Sequence, residues 1–284
     1  MGISSYQISS VLALLPEVGL VVLAGVVLTM DILLRDSRKH LLAVTTAVGS
    51  LLIILAALMY SQPSGDLIWG GMVRDDMLAF VFRLVFIFAG GITAMFSIGS
   101  KEVAHRGDYY AIMLGAVIGM CFMASASDLI MLYLAIETTG IAGYLLAGYV
   151  RTDDRSAEAG LKYFLFGAAT SAVMLYGFSL LYGFTGETNL GAIAPILASG
   201  NVSISAICAI VVLILVGVGF KIAMVPFHFW APDVYEGAPS PVTGFISTAS
   251  KTAGFAVLLR VFIYGLAASE YWLPAMAGLA AVTM

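Results

Sequence analysis
The sequence predicts an all-α protein, a polytopic bundle of transmembrane helices, and three observations carry that reading. Hydrophobic residues make up 61% of the 284 residues and charged residues only 11%, less than half of the roughly 25% typical of a soluble domain. The mean hydropathy is +1.02. The apolar residues gather in runs near the about 20 residues that a helix needs to cross a bilayer, far longer than the about 9–11 of a barrel strand. Backbone polar groups in lipid must be satisfied within each span, so runs of this length mean helices. The same composition excludes a water-soluble globule, collagen and a disordered chain. Cys121 and Cys208 both lie in apolar runs and frame no disulfide scaffold. A net charge of −4 without a basic stripe leaves nucleic acid outside the expected partners.

The charged residues mark where spans begin and end. The first run covers Val11 to Leu34 and holds Glu17, the second Leu41 to Tyr60, and the third Met77 to Ser100. The fourth, Tyr109 to Ser127, lies uncharged between Asp108 and Asp128, and the fifth, Leu129 to Val150, contains Glu137. The sixth runs from Ser156 to Thr185 with Lys162 near its start. The seventh lies within Val202 to Trp230, the eighth runs from Val242 to Leu266, and a ninth begins near Tyr271. Trp272 to Met284 is too short to cross a bilayer, so the chain is expected to be the front part of a longer protein. Residues 1–10 carry no Lys or Arg and so no signal-peptide n-region.

Orientation follows from the loops. Arg35, Arg38 and Lys39, then Lys101 and Arg106, then Arg151 and Arg155 fall in alternate loops, whereas the loops between them hold only Arg74. The positive-inside rule puts the basic loops in the cytoplasm and the N-terminus outside.

An ionisable group at the centre of a span costs about 2.5–3.5 kcal/mol on insertion scales, so each one is a functional candidate. Glu137 sits nine residues beyond Asp128, roughly 14 Å along a helix and near the midplane. Lys221 ends the uncharged stretch Thr188–Phe220, and Pro226 follows five residues later. Proline breaks or kinks a helix, and broken helices at membrane depth line cavities that carry ions or substrates. Lys251 follows Pro241 by ten residues, roughly 15 Å into its span, among Ser247, Thr248, Ser250 and Thr252. The structural alternatives are a carboxylate bonded to Thr138, a lysine snorkelling to the surface, and a lysine that only ties two helices together. Lys162 lies nearer the cytoplasmic side, where snorkelling is easy, and both readings stay open for it. Arg83 reads as structural, and Asp154 and Glu158 as interfacial. His228, in Pro226-Phe-His-Phe-Trp230, is the one histidine in an apolar setting. It reads either as a proton-relay group beside the break or as a packed aromatic-interface residue. No second ligand stands at metal spacing from it, so no metal is expected. A P-loop, a G-x-G-x-x-G opening a helix, a G-x-S-x-G elbow and a haem or iron–sulfur cysteine pattern are all lacking. No cofactor is expected in this chain, and electrons are not expected to travel through it.

Desolvation disfavours the charged form of any ionisable group, while a close opposite charge favours it. A buried lysine whose glutamate partner moves toward it or away is therefore a proton switch. The expected path runs along Lys162, Lys221 and Lys251, gated by Glu137.

Leu15-Pro-Glu-Val-Gly19, Ala157-Glu-Ala-Gly-Leu-Lys-Tyr-Phe-Leu165 and above all Val225-Pro-Phe-His-Phe-Trp-Ala-Pro-Asp-Val-Tyr-Glu-Gly-Ala-Pro-Ser-Pro-Val242 closely resemble one family. It is the antiporter-like membrane subunit N (subunit 2) of NADH:quinone oxidoreductase, respiratory complex I. The resemblance implies an antiporter-like fold of inverted five-helix repeats, each with a broken helix. Here it implies three helices over 1–108, the first repeat over 109–270 with its break near Lys221–Pro226, and the start of a truncated ninth helix over 271–284. By the same resemblance Glu137, Lys221, Lys251 and Lys162 match the family's fifth-, seventh-, eighth- and sixth-helix charges. The implied function is proton translocation, driven by quinone reduction elsewhere in the complex. NADH, FMN, iron–sulfur clusters and quinone would sit in partner subunits, the other membrane subunits and the peripheral redox arm. The implied place is a bacterial inner (cytoplasmic) membrane. The alternatives are a cation/proton antiporter subunit and a structural subunit without its own proton path.

Overall fold
A computed structural model describes residues 11–266 and 269–284, the side chains of 269–271 excepted. Residues 1–10, read as lacking a signal-peptide n-region, lie outside the described residues. Eight helices among the described residues are long and apolar enough to cross a membrane. They are α1 (Leu15–Leu33), α2 (Leu41–Tyr60), α3 (Met77–Ser97), α4 (Gly107–Ser125), α5 (Leu129–Ala147), α6 (Asp154–Thr185), α8 (Ile204–Ile222) and α10 (Ser240–Gly265). Between them lie the short α7 (Leu190–Ala198) and α9 (Trp230–Gly237), and α11 (Ser269–Thr283) follows.

The charged residues that delimit the spans do so for a local reason. Asp76 accepts from the Ala79 amide at the start of α3, Asp128 from Ile130 and Met131 at the start of α5, and Asp153 from Arg155 at the start of α6. Each carboxylate caps amides that the helix itself leaves unpaired. Asn189 and Ser203 do the same for α7 and α8. Gly186 ends α6 in the left-handed region, at φ 70°, where a glycine carries no Cβ penalty.

α4 is the most enclosed span and packs against α1, α3, α5 and α10, while α6 packs along α8. Valine, leucine and phenylalanine side chains such as Val22, Leu52 and Phe88 stand exposed on α1, α2 and α3, as a surface meeting hydrocarbon does.

Three features depart from a plain series of spans. Leu67–Ile68 pairs antiparallel with Val73–Arg74 in a small hairpin between α2 and α3. α7, too short to cross, packs beneath the last turns of α10. α10 itself holds two wider turns, over Ile246–Ser250 and Leu259–Gly265, in which the hydrogen bonds reach one residue further. Such turns reorient the side chains beside them, and the first ends immediately before Lys251.

Candidate functional site
α8 stops at Ile222 with Lys221 in its last turn, and α9 starts only at Trp230. The chain turns at Ala223, whose φ of 56° and ψ of 46° put it in the left-handed region. Its amide bonds back to Phe220, and that of Met224 to Gly219, at 3.1 and 2.8 Å. Trp230 donates its indole Nε1–H to the Phe220 carbonyl at 3.2 Å. Two of the carbonyls freed by the break, those of Gly219 and Phe220, are thus paired by protein groups, the kind of pairing that non-helical backbone at membrane depth needs. The Trp230 indole is itself stacked on Tyr163 of α6, ring centroids 4.5 Å apart.

The break leaves Lys221 buried at the end of α8, with 6% of its surface exposed. Glu137, on α5, lines the same small cavity, together with Tyr144 of the same helix, Ser171 and Met174 of α6, and Phe220. The cavity holds about 10 Å³, room for about one water. Ser171 donates its hydroxyl to Glu137 Oε1 and approaches the Tyr133 hydroxyl at 3.4 Å. Among the described residues no carboxylate lies within 4.0 Å of the Lys221 ammonium. A carboxylate and an ammonium therefore line one small cavity without being locked together.

The other expected site residues stand around this cavity rather than in it. Lys251 places its ammonium 5.4 Å from the centre of the Tyr235 ring, a cation–π contact. One turn further along α10, a Cβ added to Gly254 would lie 3.3 Å from Lys221 Cβ and 2.6 Å from Ile222 Cγ2. The missing side chain is what lets α10 cross α8 at Lys221. Lys162 bonds Glu158 at 2.6 Å and Asp233 of α9 at 2.5 Å, so its charge ties α6 to the segment after the break. His228 lies within the break with its ring stacked on Phe229 at 4.9 Å and is not among the residues lining the cavity.

Two buried arginines hold the frame. Arg83 pairs with Glu17 of α1 at 2.7 Å and reaches Asp75 at 3.6 Å, the structural part read for it. Arg260, which the reading of the eighth run passed over, grips Asp76 with both terminal nitrogens at 2.6 Å and donates Nε–H to the Ala124 carbonyl. A second charge in an apolar run, nine residues beyond Lys251, was its signal. Ser171, Tyr144 and Asp233 also escaped the sequence reading, and no spacing along the chain singles them out. Among the described residues no group of three His, Cys, Asp or Glu side chains could hold a metal.

Comparison with known proteins gives this arrangement a family. The family described as NADH:quinone oxidoreductase/Mrp antiporter, TM, matches residues 126–284. NADH-quinone oxidoreductase subunit N 2 of Chloroherpeton thalassium is 41% identical over 257 residues, covering 88% of this chain and 50% of that protein. Subunit N of Desulfovibrio desulfuricans is 42% identical over 280 residues, covering 96% of this chain and 55% of that protein. The chain spans about half the length of these relatives. Among solved structures, a chain of respiratory complex I from Thermus thermophilus superposes with a TM-score of 0.72 at 33% identity, over 86% of this chain and 52% of that one. A chain of the Mrp complex from Dietzia sp. shares the fold, with a TM-score of 0.73 at 22% identity over 90% of this chain and 29% of that one. With eight helices among the described residues long and apolar enough to cross a membrane, a matching family and relatives of this kind, the chain is a multi-pass membrane protein that belongs to the NADH:quinone oxidoreductase/Mrp antiporter membrane family and is similar to its subunit N.

Proposed function
We propose that this chain acts in a proton-translocating membrane subunit of NADH:quinone oxidoreductase, moving protons through Glu137 and Lys221. The observation that carries the reading is their shared cavity: α5 and α8 bring a carboxylate and an ammonium together beside a helix break. When the two approach, each favours the other's charged form; when they part, burial favours both neutral forms. A proton on Lys221 is thereby held or released according to where Glu137 stands. Lys251 lies one turn from the crossing at Lys221 and is the next acceptor along α10. Lys162, anchored by Glu158 and Asp233, sets the field at the basic-loop end, and His228 serves as a further relay group beside the break. Residues 109–270 form the first antiporter-like repeat in this reading, preceded by the three helices of 1–108 and followed by the start of another helix over 271–284.

The subunit N relatives support the assembly proposed here: other membrane subunits, a lipid bilayer, and a peripheral arm carrying NADH, FMN, iron–sulfur clusters and quinone. The basic loops at 35–40, 101–108 and 151–155 support an N-terminus outside a bacterial inner membrane. The test is NADH-driven acidification of inverted membrane vesicles whose complex carries Lys221→Ala, with assembly followed on native gels. Loss of proton uptake in an assembled complex is expected. Uptake at the wild-type rate would overturn the proposal.

A further inference from the structure
At the basic-loop end of the bundle a crevice of about 1060 Å³ opens between α4, α5 and α6, with Lys101, Arg106, Asp108 and Arg151 among its lining residues. The Glu137–Lys221 cavity lies deeper along the same face of α5. Of all residues lining these two spaces, Tyr144 alone belongs to both. It stands two helical turns from Glu137 on one face of α5, roughly 10 Å along the axis. Helical side chains lean toward the N-terminus, so the phenol of this crevice-lining residue reaches toward the turn that carries Glu137.

The seat of that phenol is built by omission. A Cβ on Gly167 of α6 would collide with the Tyr144 hydroxyl, and one on Gly140 would stand 3.1 Å from it. Two glycines, on facing helices, thus leave a notch filled by a hydroxyl. The ring is held edge-on by Tyr163 and Phe164, with centroids 4.8 and 5.8 Å away. A packed aromatic could close the crevice with phenylalanine as well as with tyrosine. What the notch accommodates is an oxygen, set in the wall between a wide space and a one-water cavity lined by a carboxylate.

We propose that Tyr144 is the gate residue that passes protons from the crevice to Glu137. An excess proton carried by crevice water, as hydronium, passes to the phenol oxygen as the phenol O–H proton leaves for the Glu137 carboxylate by way of the water-sized cavity; hydronium becomes water and the carboxylate becomes the neutral acid. The phenol is neutral before and after, and one proton has crossed the wall. This inference rests on the proton-translocating role of Glu137 proposed above, and its test keeps the two apart.

The assembled complex is compared in inverted vesicles as wild type, Glu137→Gln, Tyr144→Phe and with 3,5-difluorotyrosine at position 144. Tyr144→Phe keeps the ring and removes the oxygen, so its rate of NADH-driven proton uptake is expected to fall at least tenfold. The fluorinated phenol keeps the shape and changes the acidity, so it is expected to alter the rate and its solvent deuterium isotope effect, which a packing role would leave alone. If Tyr144→Phe does not assemble, the fluorinated protein decides alone. Loss in Glu137→Gln with wild-type behaviour in both position-144 proteins would overturn the gate and leave the role of Glu137 standing. Wild-type uptake in Glu137→Gln would overturn both.

Discussion
The Arg260–Asp76 pair offers a stability prediction whose size can be worked from geometry. Arg260 has 1% of its surface exposed, and two of its donors meet the two oxygens of Asp76 at 2.6 Å. Asp76 also caps α3 through the Ala79 amide at 2.9 Å. Asp76→Asn keeps one oxygen for the cap, since asparagine caps as well as aspartate, and removes the charge together with one of the two acceptors that Arg260 uses. Hydrogen bonds to charged groups contribute about 1.5–3 kcal/mol each, and leaving one member of a buried pair unpartnered costs about 3–5 kcal/mol. The Asp76 side chain is still 16% exposed, so the lower end, about 3 kcal/mol, is expected for Asp76→Asn. Asp76→Ala adds about 1 kcal/mol for the lost cap. The double variant Asp76→Leu/Arg260→Met removes both charges together and is expected to lie nearer the wild type than Asp76→Ala does. Unfolding of the purified protein in mild detergent, followed by far-ultraviolet circular dichroism against sodium dodecyl sulfate, measures all four. An Asp76→Asn protein within about 0.5 kcal/mol of wild type, the range of ordinary surface changes, would refute the reasoning.

Three further outcomes follow from the same structure. Burial pushes Asp76 up, but the Arg260 and Ala79 hydrogen bonds outweigh it and leave its carboxyl below its ordinary value. Its contribution is therefore full at neutral pH and lost as pH falls below the ordinary carboxylate range; thermal unfolding curves of wild type and Asp76→Asn should converge in acid. Gly254→Val drives a branched side chain into Ile222 and Lys221, with an overpacking cost of about 1–3 kcal/mol in detergent unfolding. Lys162→Ala removes two ion pairs, to Glu158 and Asp233, whose lysine is 36% exposed, so the cost in the same assay should stay within about 1 kcal/mol for each pair.

The spans were legible because the residues that interrupt the apolar runs also cap helices: Asp76, Asp128 and Asp153 both mark and make the boundaries. The break after Lys221 was legible from Pro226. The hairpin at 67–74 and α7 were not, since each is too short to impose a period on the sequence. Glu137 and Lys221 were each legible as charges out of place, yet their common cavity depends on how α5, α6 and α8 pack. Ser171 and Tyr144 join it from positions that look like ordinary polar and aromatic residues of a span. Arg260 finds its partner 184 residues away, beyond the reach of any local pattern. Lys162 stood open between a relay charge and a snorkelling one, and its partner Asp233 lies on α9, beyond the turn at Ala223.

The most direct test of the central claim is a double-mutant cycle on the initial rate of NADH-driven proton uptake, using Glu137→Gln, Lys221→Ala and their combination in assembled complex. Groups that act as one switch give non-additive losses. Each single variant should lose most of the uptake, and the double variant should be no slower than the slower single. Singles at the wild-type rate, or losses that multiply in the double variant, would contradict the account.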